Sequence, residues 1–570
     1  MKPCETPYTL LGVLLSRRRS NYSCEYPNFL RDYAIREINV LLWISLIAIT
    51  TFLVKRVIKL MKLWSYGRNL PGPPCPSLFG HSQLFSGENL IEFLSKSHEK
   101  YGSIVRLWLG PTQLMVSVKD PVIIKEMLIK AEDKLPATER AFHMAFGRSS
   151  LFASSFKKVQ KRRESLAEQL NNILLQRANA IPSKVVDYIV QNVGSTTANR
   201  VSDCRSISQH MAFSILGSTL FGDVFLGWSN ATLYEEMLMK ISKEASFWAS
   251  YTIPPFWKRG FWRFKCLCTE LRCLTLDIIQ QRRKYYKFSQ LDQNPSNGTT
   301  KIGRVVESDA VIFSGGLMED DLLLANLDGH LNGDEPCGNV MGVMFHGCLT
   351  TAGLIGNILT MLVIHPEIQD KIYSEIMMVH KRSSKSGVHN IYDMKFLMAT
   401  VYESARLLPV GPLLQRCSRT HDLDLKAGVT VPAGSILVVP IQLVQMDGSS
   451  WGKDASEFNP HRFLSKDERR SFSEPRVPLT GAADEVVSIE ESLVLNDPSV
   501  TDSFLPFGSG TRACIGQKFA ILGIATLFAS LLQHFEVRLE PGSETIPKSM
   551  NNSIVQLLPT PKIVFVERNR

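Results

Sequence analysis

An uncharged run from Ile38 to Val54 is followed, after a short basic stretch, by Leu70-Pro71-Gly72-Pro73-Pro74. Together these two features limit where a folded core can be built. Seventeen uncharged residues are at the short end of a membrane-spanning helix, and Trp43 with the flanking Glu37 and Lys55 would help to seat it. Proline fixes φ and removes amide donors, so no helix runs through 70–74. The expected organisation is an N-terminal extension at 1–37, an anchor at 38–54, a basic and Pro-rich hinge at 55–75, and a globular domain at 76–570. A cleaved signal peptide is the rival reading, but no small-x-small site follows the run. Instead Lys55, Arg56, Lys59 and Lys62 follow, placing the downstream side in the cytosol. Arg17, Arg18 and Arg19 on the other flank oppose that assignment, and the Ser/Arg-rich residues before the run leave a transit peptide as an alternative.

The rest of the chain reads as mainly helical with small sheets. With 570 residues, 44% of them hydrophobic, there is ample material for a large core. Alternation from Tyr101 to Val118 predicts a β-hairpin. Amphipathic helix dominates from Pro121 to about Tyr285, and residues 289–335 read as a polar, acidic loop. A long apolar helix is expected from Val340 to Ile364, ending before Pro366, and another from Met394 to Leu408, stopped by Pro409. Short strands follow between Leu413 and Leu443, then a second polar and acidic stretch at 465–503, then a helix from Gln517 to His534. The net charge of +10 is modest for this size and comes in short clusters, which disfavours nucleic acid as a partner and suits anionic lipid or an acidic protein. The 11 cysteines are scattered. Cys266, Cys268 and Cys273 lie close together but lack a zinc-type spacing, so they read as reduced thiols.

The most specific segment is Phe507-Gly-Ser-Gly-Thr-Arg-Ala-Cys-Ile-Gly516. Cys514 ends a Gly-rich loop at a helix start, where amide groups and the helix dipole favour a thiolate. Gly508, Gly510 and Gly516 lack the Cβ atoms that would hold off a flat cofactor. Arg512 can meet an acidic edge of such a cofactor. The spacing F-x-x-G-x-R-x-C-x-G resembles the haem-binding loop of the cytochrome P450 family, matching at Phe507, Gly510, Arg512, Cys514 and Gly516. The resemblance covers about residues 70–565 in order. It implies the cytochrome P450 fold after one N-terminal transmembrane helix, with haem b as cofactor and Cys514 as the iron ligand.

Two further segments fit the resemblance. Glu403-Ser-Ala-Arg406 and Phe458-Asn-Pro-His-Arg462-Phe463 look like the family's E-x-x-R helix and P-x-R-F element, which implies a structural charge triad of Glu403, Arg406 and Arg462. Arg416 resembles a propionate-binding arginine. The early W-x-x-x-R pattern is absent: Phe156 and Gln160 stand in its register, leaving Lys161 or Arg162 as substitutes.

Within the long apolar helix, His346-Gly347-Cys348-Leu349-Thr350-Thr351 resembles the distal element of the family. Gly347 would open a kink, Thr350 would offer its hydroxyl to dioxygen and relay protons, and Thr351 would be a secondary hydroxyl. Alternatively both threonines simply bond back to their own helix. Two departures stand out: Leu349 occupies the acid position, and His346 replaces a small residue. His346 reads first as a packing residue, with a second haem ligand as the other reading.

The aromatic and basic stretch Phe247–Phe264 falls where the family has a lid that dips into the membrane, and ordinary helix packing would explain it almost as well. The implied activity is monooxygenation of a small apolar substrate. Electrons would come from NADPH-dependent cytochrome P450 reductase, with cytochrome b5 a candidate second donor. The protein would sit in the endoplasmic reticulum membrane as a single-pass protein with a cytosolic catalytic domain. Leu349 keeps open a redox-neutral isomerase, dehydratase or lyase acting on an oxygenated lipid, and a non-catalytic haem or ligand-binding protein.

Overall fold

The computed structural model describes residues 29–75, 77, 79–81, 90–131, 133–147, 151–152, 159–168, 184–187, 201–251, 255–292, 337–386, 391–426, 428–464, 503–541 and 561–568. The first 28 residues, and nearly all of the expected loops at 289–335 and 465–503, lie outside the described residues. The chain divides after Leu70 into two units.

The first unit is built on helix α1 (Phe29–Arg68), which carries the apolar run. It is long and apolar enough to cross a membrane, and its apolar side chains, including Leu41, Ile44 and Ile47, face outward. The helix continues through Lys55, Arg56, Lys59 and Lys62, so these basic residues are helical and the irregular segment starts only after Arg68. No proline or glycine interrupts 29–66, and the basic residues there are good helix formers.

The second unit opens with α2 (Leu90–Tyr101) and the hairpin of β1 (Ile104–Trp108) and β2 (Leu114–Val118), antiparallel with Ile104 opposite Val118. Helix α3 (Pro121–Lys130) starts where sequence rules place it. Asp120 Oδ1 accepts from the amides of Val122 and Ile123, and Pro121 fills the first turn. Next come α4 (Pro136–Phe146), β3 (Val201–Asp203), α5 (Cys204–Phe221), α6 (Ala231–Ala249) and α7 (Arg259–Asp292). The long helix α8 (Gly338–Ile364) precedes α9 (Pro366–Ser386) and α10 (Lys395–Leu407). Strands β4 (Leu413–Cys417), β5 (Leu423–Leu425), β6 (Val429–Val431) and β7 (Ile436–Pro440) lead into short helices α11 (Ile441–Gln445) and α12 (Gly448–Trp451). The chain closes with α13 (Gln517–His534), β8 (Phe535–Leu539) and β9 (Lys562–Glu567). The largest sheet has the order β1-β2-β7-β4, with β2 and β7 parallel.

Helix α8 organises the core. Its first half, with Val340, Met344 and Phe345, packs in one apolar cluster with Phe142 and Phe146 of α4, Phe221 of α5 and Phe264 of α7. Its second half, with Ile355, Leu359 and Leu362, packs in another with Leu397 of α10 and Phe528 of α13. The helix is apolar and long, but most of it is buried, so its composition answers to the core and not to lipid. The segment His346 to Thr350 lies near the junction of the two clusters. On α7, Cys268 is buried while Cys266 and Cys273 are exposed, so the three thiols do not share one environment.

Candidate functional site

The Cys514 loop is a tight turn held from both sides. Its middle, Gly510–Arg512, is a single 3₁₀ turn, and the Cys514 amide donates to Phe507 O at 2.8 Å. Gly508 and Gly510 have φ of 72° and 71°, a region that favours glycine. A Cβ on Gly510 would come within 2.8 Å of Leu128 O, at the end of α3. A Cβ on Gly516 would meet nothing within 4 Å, so this glycine leaves an open face beside the thiol. Phe507 packs on the larger cluster behind the loop.

Cys514 is exposed yet ringed by protein, as expected for a group on the floor of a recess. The surrounding protein pushes its thiol up, against the opposing pull of the Gly516 amide and the Arg163 charge. The helix-start environment expected to favour thiolate is therefore outweighed by desolvation. A bound metal would reverse the balance, because a coordinating thiol is deprotonated outright.

The three charges behind the loop meet. Arg406 donates to both carboxylate oxygens of Glu403, at 2.6 and 2.8 Å, and both side chains are fully buried. Arg462 Nε lies 3.5 Å from Glu403 Oε1, and Asp454 holds the other end of that guanidinium at 2.8 Å. Gln445, which carries no sequence signal, joins this group to the loop. Its amide donates to Arg406 O at 2.7 Å, and its oxygen accepts from the Leu505 amide at 3.1 Å, two residues before Phe507.

A group of cations gathers on the same side. Arg163 donates to Ala513 O at 3.0 Å, next to Cys514. Of the neighbouring basic residues, Lys161 is exposed and Arg162 half-buried, whereas Arg163 turns toward the loop. Phe156 lies outside the described residues. Arg416, on β4, is pushed down to about 10 by burial, then by Arg512 and Arg163. Lys134, which no local sequence pattern marks, is pushed down to about 7 by burial, then by Arg512, Arg163 and Arg416. Glu139 pulls Lys134 the other way and is itself paired with Arg419. Buried cations that repel one another would gain from a dianionic ligand.

Helix α8 runs unbroken through its glycines. A Cβ on Gly347 would lie 2.5 Å from the Leu216 side chain, so this glycine lets α5 pack close. The Thr350 hydroxyl donates to His346 O at 2.7 Å, and the side chain is exposed on an otherwise largely buried helix. Thr351 is buried, so the two hydroxyls do not share an open face. Leu349 packs on the same apolar cluster as Ile515, the residue after Cys514. The His346 ring lies against Phe142 at 4.7 Å and Phe152 at 4.9 Å. This is the environment of the packing reading.

Residues 70–565 match the sequence model of the family described as Cytochrome P450. The chain belongs to the cytochrome P450 family. Among similar proteins, Cytochrome P450 72A397 of Kalopanax septemlobus is 25% identical over 80% of each chain. Cytochrome P450 3A31 of Mesocricetus auratus is 26% identical over 85% of this chain and 88% of its own. The 11-oxo-beta-amyrin 30-oxidase of Glycyrrhiza uralensis is 25% identical over 83% of this chain and 82% of its own.

This P450 is therefore a haem-thiolate monooxygenase, and the residues described fit the cofactor. Cys514 would supply the iron ligand, the open face at Gly516 would admit the ring, and Arg163, Arg416, Arg512 and Lys134 would face its two carboxylates. Once bound, haem with a thiolate ligand supplies the electron push that cleaves an O–O bond.

Proposed function

We propose that this P450 hydroxylates a small apolar substrate. In this reading NADPH-dependent cytochrome P450 reductase supplies the electrons, and the catalytic domain lies on the cytosolic face of the endoplasmic reticulum membrane. The observation that carries the chemistry is Thr350: it stands on an exposed face of a core helix, where its oxygen can accept from a water while its own proton is held by His346 O. Cys514, Arg512, Phe507, Gly510, Gly516 and Arg416 serve the haem, and Glu403, Arg406 and Arg462 hold the loop. The apolar α1 supports a single-pass anchor. Phe247, Phe256, Trp257 and Trp262 expose aromatic surface beside Lys258 and Arg259, a composition suited to the lipid interface.

The test is the reduced, carbon monoxide-treated protein, followed by reductase-supported turnover, with beta-amyrin derivatives among the first probes. A thiolate-type haem band that disappears in Cys514→Ala, together with NADPH-dependent hydroxylation, is expected. A band unchanged by that substitution would sink the assignment.

One observation favours a second reading. Leu349 is packed among apolar side chains, so the acid of the family's relay is replaced by core. Redox-neutral isomerase, dehydratase or lyase chemistry on an oxygenated lipid needs no such relay. Turnover of a hydroperoxide without reductase would select this reading, and strict NADPH dependence would exclude it.

A further inference from the structure

His346 is held in a way that packing alone does not repay. Its ring stacks on Phe152 and lies tilted against Phe142 of α4, the two phenylalanine rings themselves 6.5 Å apart, with Phe345 edge-on at 5.5 Å. Both flanking rings are fixed from elsewhere. Lys134 Nζ lies 4.4 Å above the Phe142 ring and donates to Phe152 O at 2.7 Å. Phe152 also rests on α8 at Gly342, where a side chain would collide with its ring. Beside them the His346 Nε2 is buried and makes no hydrogen bond. A buried ring nitrogen without a partner is destabilising, and phenylalanine in its place would fill a similar space without that cost.

Three facts tie this nitrogen to the catalytic recess. His346 is one helical turn before Thr350 on α8, and its carbonyl accepts the Thr350 hydroxyl. The Arg163 charge acts on both His346 and Cys514. Phe142, Phe152 and Phe345 belong to the apolar cluster on which Leu349 and Ile515 pack. The imidazole is neutral at physiological pH, because burial, then Lys134 and Arg163, disfavour its charged form. A neutral imidazole presents one N–H and one lone pair in an apolar wall, which recognises a hydroxyl or carbonyl oxygen and not a carboxylate.

We infer that His346 is a specificity-determining residue, pairing with a hydroxyl or ketone oxygen on an otherwise apolar substrate that enters the Phe142–His346–Phe152 ring cluster. This rests on the haem-thiolate reading above and names the substrate class of the same site. A site built to bond an oxygen discriminates strongly against the analogue lacking it, since the buried nitrogen then stays unpaired.

The experiment is spectral titration of the full-length haem-loaded protein with matched probes: naphthalene and 1-naphthol, biphenyl and 4-phenylphenol, adamantane and 1-adamantanol. The quantity read is the alcohol-to-hydrocarbon ratio of Kd values in wild type, in His346→Phe and in His346→Asn. In His346→Phe the ratio should shift about tenfold against the alcohol, the loss of one buried hydrogen bond. His346→Asn, which keeps a polar group at the position, should retain most of the wild-type ratio and serves as the reference if the phenylalanine variant folds poorly. No alcohol-dependent binding in wild type, or ratios equal across the variants for every pair, overturns the inference. The carbon monoxide band separates the two levels. If it is present while the ratios do not move, only the role of His346 fails; if it is missing from wild type, the haem-thiolate reading fails first.

Discussion

Glu403 is enclosed between Arg406 and Arg462 with no exposed surface of its own, so removing its charge strands a guanidinium in the core. Breaking one side of such a buried pair costs roughly 3–5 kcal/mol, more than the intact pair contributes. Glu403→Gln is expected to lower the unfolding midpoint by that order and to shed haem on mild heating. Arg462→Lys should cost less, because Arg462 is partly exposed and its replacement can still reach Asp454. Thermal unfolding with haem content read in parallel checks both. His346 carries a pH signature of its own. Its value falls from 6.5 to about 3 on folding. Between those values the unfolded chain binds a proton that the folded chain refuses, so this group makes stability rise as pH climbs from 3 to 6.5 and adds no slope above. The stability of His346→Phe relative to wild type should therefore grow as pH falls below 6.5. A gap in urea midpoints that stays constant from pH 4 to 8 would count against the neutral, buried imidazole.

At the scale of elements, the Cys514 loop depends on how closely α3 approaches it. Gly510 needs both its positive φ and its missing Cβ, since Leu128 O lies in the way. Gly510→Ala should cost roughly 1–3 kcal/mol from backbone strain alone and should lower haem occupancy. Gly516, with φ of −100° and no neighbour within 4 Å, should accept alanine without loss of apoprotein stability, confining any effect to cofactor binding. Denaturant unfolding of the apoprotein beside haem titration separates the two. What the sequence revealed follows the same division. The Cys514 loop, the Glu403–Arg406 pair and the ends of α8 and α10 were legible because they are set by local spacing, by glycine or by a following proline. Arg163 was not, because which basic residue of 159–168 faces Ala513 depends on packing against a loop some 350 residues later. Lys134 and Gln445 act through equally distant partners and sit in unremarkable local sequence. The irregular segment begins later than the expected hinge at 55–75, because helix propensity keeps Lys55, Arg56, Lys59 and Lys62 in α1.

At the scale of the whole molecule, charge and apolar surface set how the protein meets a membrane. The second unit has its own core in two large clusters, so it should fold without α1. It also displays Trp257, Trp262, Phe256 and Phe247, each more than half exposed, beside Lys258, Arg259 and Arg263. Aromatic rings in that company gain by entering the interface, and the cations gain from anionic headgroups within a Debye length. Residues 71–570 alone are therefore expected to keep the thiolate-type band and to bind vesicles more weakly than the full chain. The remaining binding should rise with the anionic lipid fraction and weaken as salt is raised. Trp257→Ser with Trp262→Ser should remove most of it while leaving the band intact. Vesicle sedimentation at low and high salt reads all three effects. If the truncated protein binds as tightly as the full chain, α1 is not the principal anchor; if the tryptophan changes leave its binding untouched, the Phe247–Phe264 surface faces something other than lipid.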